Sequence, residues 1–149
     1  MKKQVVIISV FVIAVISAIV LSLWVFNPRV IFERKFDFKL PNSVKILNKS
    51  YSLFYDSLEL KVCFTDDDYG EIVDGIENYA QENMNKMRID NEVEMFDFRV
   101  FCDWWDREEE EAILAYDASK QGMWGAKTRI VCVLITKNNE GQYFLHIYY

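Results

Sequence analysis

Residues 128–149, TRIVCVLITKNNEGQYFLHIYY, decide the fold. Two β-prone runs flank the turn formers of residues 137–141, which reads as an antiparallel hairpin. Both runs are apolar on either side. Ile130, Cys132 and Leu134 alternate with Val131, Val133 and Ile135, and Tyr143, Leu145 and Ile147 alternate with Phe144, His146 and Tyr148. Strands of that kind belong to the middle of a sheet and need cover on both faces. Candidates for the second cover are residues 44–55, a short second helix, a second subunit or a partner protein.

Upstream, Asp106 and Glu109 suit a capping box for a short helix. Ala112, Leu114, Tyr116 and Ala118 also fit a strand, which is the reading adopted because it completes a three-stranded meander around a loop at 119–127. Phe96, Phe98 and Val100 alternate with Asp97 and Arg99 as a further strand, after a polar loop at 90–94. That strand leads into Trp104-Trp105-Asp106, where adjacent side chains in extended backbone point to opposite faces. One tryptophan should enter the core and the other stay near the surface.

Leu58, Leu60, Val62 and Phe64 alternate with Glu59, Lys61 and Cys63, the clearest half-buried strand in the chain. Phe36, Phe38 and Leu40 show the same period ahead of Pro41. Between these regions and the tryptophans, a helix is expected over about 67–87. Tyr69, Ile72, Val73, Ile76, Tyr79, Ala80, Met84 and Met87 make one stripe, and Glu71, Asp74, Glu77 and Glu82 the other. Gly75 weakens it slightly. Thr65 or Asp66 should cap it, with Asp67 and Asp68 complementing the helix dipole. A calcium loop starting at Asp66 fails its register, since position 71 is Glu where glycine is required.

The N-terminal region has a different character. Residues 5–26, VVIISVFVIAVISAIVLSLWVF, carry no charge. As a helix they would extend about 33 Å, enough for a hydrocarbon core of about 30 Å. The run is longer than a signal-peptide core and ends in Trp24 and Phe26 rather than small residues, so it reads as an uncleaved anchor. Lys2 and Lys3 favour an N-terminus inside and a domain outside, although Arg29, Arg34, Lys35 and Lys39 follow the span and weaken that bias. Ala14, Ala18 and Ser22 share one stripe, at the spacing that lets membrane helices approach closely. They are candidates for self-association or a membrane partner.

The expected organisation is a basic tail (1–4), a transmembrane anchor (5–26), a juxtamembrane stalk (27–35) and one α+β domain (36–149). That domain is a small antiparallel sheet packed on one long amphipathic helix and ending in a β-meander. The chain of 149 residues has a net charge of -6. From Asn27 onward it carries -8, which discourages binding to a nucleic-acid backbone.

Chemistry-bearing motifs are few. His146 is the only histidine. As a base it would need a nucleophile and an orienting acid, and the sequence places neither beside it, so a satisfied or edge-exposed strand histidine is the plainer reading. Cys63, Cys102 and Cys132 lack metal-ligand spacing, and no catalytic, metal or cofactor site emerges. Trp104, Trp105, Met123 and Trp124 are candidate partner-binding residues, because aromatic anchors bury much area at little entropic cost.

Leu40-Pro41-Asn42-Ser43, Trp104-Trp105-Asp106 and the closing Ile-Thr-Lys through Gly-Gln-Tyr-Phe-Leu-His-Ile-Tyr-Tyr resemble stretches of small single-pass or lipid-anchored envelope proteins of Gram-positive bacteria without an assigned function. The resemblance implies a bacterial envelope setting and brings no site residue. The expected function is a membrane-anchored, non-catalytic binding or accessory module, extracytoplasmic, in contact with membrane lipid and a protein partner or its own copy. Alternatives are a small envelope hydrolase using carboxylates and an immunity-type protein that binds a toxin.

Overall fold

The computed structural model describes residues 2–52, 56–87, 89, 104–106, 108–120 and 129–149, apart from the side chains of 2–8, 23, 119, 120, 129 and 130. In chain order these form α1 (Lys2–Val25), α2 (Pro28–Phe36), β1 (Lys45–Ser52), β2 (Ser57–Phe64), α3 (Asp66–Asn83), β3 (Asn85–Lys86), β4 (Glu110–Lys120), β5 (Arg129–Asn138) and β6 (Tyr143–Tyr148). The expected strand at 96–100, the loop at 90–94, Cys102, Met123 and Trp124 lie outside the described residues.

The fold is α+β. The six strands among the described residues make one sheet in the order β1-β2-β6-β5-β4-β3, with each of these pairings antiparallel. The terminal hairpin occupies the centre, as its two-sided apolar pattern requires. Its turn needs a left-handed residue, which Gly141 supplies at φ 82°. Leu58 and Tyr149 exchange both backbone hydrogen bonds, at 2.9 and 2.8 Å, tying the C-terminus to β2.

One sheet face carries the main core. Leu58, Leu60, Val62 and Phe64 of β2, Val133 and Ile135 of β5, and Leu145 and Ile147 of β6 pack under Ile72, Ile76 and Ala80 of α3. α2 contributes Ile31, Phe32 and Phe36, each at most 1% exposed. Burying three such side chains is worth about 2 kcal/mol apiece, so α2 is part of the core.

That placement corrects the strand expected at Phe36, Phe38 and Leu40. Asn27 caps α2 through its side chain, Pro28 opens the helix, and Asp37 closes it in the left-handed conformation at φ 59°. Helix signals over 27–37 therefore outweigh a short alternation. All three residues still reach the core: Phe36 stacks on Phe32 at 4.8 Å, Phe38 meets Phe32 edge-on at 5.0 Å, and Leu40 is buried.

α3 is shorter than its stripe suggested. Met84 is extended (φ -140°, ψ 162°), and Asn85 and Lys86 pair with Asp117 and Tyr116. Thr65 occupies the N-cap position without a side-chain cap bond. Gly75 has a packing reason to be there. A Cβ at this position would lie 2.6 Å from the Phe38 ring.

Among the described residues, the second face carries a smaller apolar cluster. Met87, Ile89 and Trp105 pack over Ala115, Cys132 and Leu134, while residues 45–52 form the edge strand β1.

α1 is continuous over Lys2–Val25, and its side chains from 9 to 22 are exposed throughout. Among the described residues no helix is long and apolar enough to cross a membrane. Just past α1, within the stretch expected as a stalk, Arg29 donates to the carbonyls of Leu40 (3.1 Å), Pro41 (2.7 Å), Asn42 (3.5 Å) and Val44. It locks the start of α2 to the chain entering β1.

Candidate functional site

The polar side chains on the second face converge on one carboxylate. Lys61 stands on β2, His146 on β6, Thr136 on β5 and Glu110 on β4, so four neighbouring strands each supply one group. Lys61 pairs with His146 across β2 and β6, and Thr136 pairs with Ala112 across β5 and β4. A register shift between Ala112 and Leu114 sends Leu114 and Tyr116 to the main core and leaves Glu110 and Ala112 on the other face. Re-aiming side chains in this way is what a β-bulge does.

All four groups are buried, from 0% exposure for Thr136 to 8% for Lys61. The Lys61 ammonium donates to Glu110 Oε1 at 2.5 Å. The Thr136 hydroxyl and His146 Nε2–H donate to Oε2 at 2.7 and 2.8 Å. Burial by itself would raise the Glu110 pKa, but the hydrogen bonds from His146, Lys61 and Thr136 outweigh it and bring it to about 2. Burial lowers the His146 pKa, against the pull of Glu110. The stable arrangement is an ionised Glu110, a charged Lys61 and a neutral imidazole. His146 Nδ1 is buried with no hydrogen-bond partner among the described residues.

This geometry differs from a nucleophile–base–acid relay, in which the two imidazole nitrogens contact different partners. Here Thr136 and Glu110 both approach Nε2, and the threonine hydroxyl is spent on the carboxylate. What the cluster does is hold the neighbouring segment. Lys61 donates a second bond to the Trp104 carbonyl at 2.7 Å, Trp105 Nε1–H reaches the Glu110 carbonyl at 3.4 Å, and Glu110 N–H donates to the Asp106 carbonyl at 2.9 Å. Residues 104–106 are thereby clamped to the sheet.

Of the candidate partner-binding residues, Trp105 is 8% exposed and sits in the second cluster, and Trp104 is half-buried. Ala14, Ala18 and Ser22 are exposed along α1; Ala18 and Ser22 line a shallow groove with Val15 and Ile19. His146 lies on a central strand. Cys63 is a free thiol, and burial raises its pKa; Cys132 is buried in the second cluster.

Sequence reasoning missed Lys61, Glu110 and Thr136 as a group. The signal was present in part: if the last two strands are buried on both faces, a lysine on the second face of their neighbour is buried too and must find a carboxylate. Which carboxylate depended on the bulge in β4, which no local pattern announces.

No family model matches the chain, and neither the curated proteins nor the solved structures contain a match. The likeness to Gram-positive envelope proteins rests on its short sequence stretches alone.

Proposed function

We propose that this protein is a membrane-anchored, non-catalytic binding or accessory module whose domain stands outside the cytoplasm. The observation that carries the reading is the exposure of α1. Val10, Phe11, Ile13, Ile16, Ile19, Val20 and Leu21 are each more than half exposed, on a helix that runs directly into a buried one. So much apolar surface on all sides of a helix is compatible with hydrocarbon and costly in water. A helix of 24 residues measures about 36 Å at the standard rise. Pro28 is already buried three residues after α1 ends, so the domain would be held close to the bilayer.

The non-catalytic part rests on the Glu110 cluster, whose charges and donors are committed to one another and to the Trp104 carbonyl. The clamped 104–106 segment, with half-buried Trp104, supports a protein-facing surface. The side of the membrane is read from the basic start ahead of the apolar run. Reporters fused after Tyr149 test this: one active only outside the cytoplasm should work, and one active only inside should fail. The reverse pattern would move the domain to the cytoplasmic face and overturn the extracytoplasmic assignment.

A further inference from the structure

We infer that the cleft between the end of α1 and the edge strand β1 binds the phosphate headgroup of an anionic phospholipid, a reading that rests on the membrane-anchored one. The cleft, of about 530 Å³, is lined by Ser22, Phe26, Asn27 and Arg29 at the helix junction and by Ile46 and Lys49 on β1. Among the described residues no carboxylate lines it. Arg29 spends its donors on backbone carbonyls, so its charge is held in place without being neutralised by an acid. Lys49 is exposed and has no ion-pair partner among the described residues.

Charge around the cleft is segregated on a larger scale. Residues 27–52 hold six Lys and Arg against two Asp and Glu, net +4, whereas residues 53–149 hold nine against 21, net -12. The two acids of the basic stretch, Glu33 and Asp37, do not line the cleft, and Glu33 is paired with Lys39 at 3.4 Å. An otherwise acidic domain thus gathers its cations beside the point where the apolar helix ends. A phosphodiester at that level would meet Lys49 and the field of Arg29, and basic residues at a membrane surface are attracted to anionic lipid in this way. Phe26, 45% exposed, and Trp24, 60% exposed, stand where interfacial aromatics are favoured.

The test uses the full chain in lipid nanodiscs of phosphatidylcholine alone or with added phosphatidylglycerol, reading lysine acetylation by mass spectrometry. Lys45, exposed on the same strand but outside the cleft, is the internal reference. With phosphatidylglycerol, acetylation of Lys49 relative to Lys45 should slow about fivefold, and Lys49→Ala should retain correspondingly less phosphatidylglycerol after detergent exchange. Equal slowing at both lysines would mean diffuse attraction and overturn the site. Protection by inorganic phosphate in phosphatidylcholine discs would identify a free-phosphate site and overturn the lipid assignment. A chain that enters neither disc would overturn the anchor itself, and the inference with it, whereas a chain that enters both with unchanged Lys49 reactivity overturns only the inference.

Discussion

His146 Nε2 lies 2.8 Å from Glu110 Oε2, and both side chains are buried at the centre of the sheet's second face. The contact couples two groups whose pKa values are both lowered by folding, Glu110 from 4.5 to about 2 and His146 from 6.5. For each, the unfolded chain binds the proton more readily, so stability falls as pH falls. The loss begins below about pH 7 through His146, and the Glu110 part, about 3 kcal/mol, disappears between about pH 5 and 2. Urea unfolding at pH 7, 5 and 3 should show this decline, and Glu110→Gln should flatten its lower limb.

Removing one partner of the buried pair should cost more than removing both. Lys61→Met leaves Glu110 without its cation and should destabilise the domain by about 3–5 kcal/mol. Adding Glu110→Leu should recover much of that loss. Near-ultraviolet circular dichroism should also change in Lys61→Met, because the Trp104 carbonyl loses its donor.

Gly70 and Gly75 both lie in α3 and should respond oppositely to alanine. A Cβ added at Gly70 would meet nothing within 4 Å, so Gly70→Ala should stabilise by about 0.5–1 kcal/mol through helix propensity. Gly75→Ala forces the Phe38 ring aside and should destabilise by about 1–3 kcal/mol. Thermal midpoints of the two variants give the comparison directly.

These positions also show what could be read from the residues. The central hairpin was legible because two-sided apolar strands have few alternatives. α3 was legible from its stripe, yet its end was not: Met84 and Met87 continue the period, and only pairing with β4 draws the chain into β3. Phe36, Phe38 and Leu40 misled because three apolar residues at period 2 also fit the end of a helix followed by a turn. The buried cluster was hidden for another reason. Its members lie far apart in sequence, and the bulge between Ala112 and Leu114 sets which face Glu110 occupies.

Arg29 should act as the brace between the start of α2 and the chain entering β1. Arg29→Ala removes the donor to four backbone carbonyls and should cost about 1.5–3 kcal/mol. Lys cannot reproduce the fork geometry, so Arg29→Lys should recover less than half of the loss. Limited proteolysis should place the new cleavage within residues 37–44.

The most direct measurement is alkaline carbonate extraction of membranes containing the full chain, wild type against Val15→Arg/Ile16→Arg. Each arginine near the centre of a span costs about 2.5–3.5 kcal/mol of insertion. The expected result is wild-type protein in the membrane pellet and the double variant in the supernatant. Release of the wild type, or retention of both, would contradict anchoring through α1.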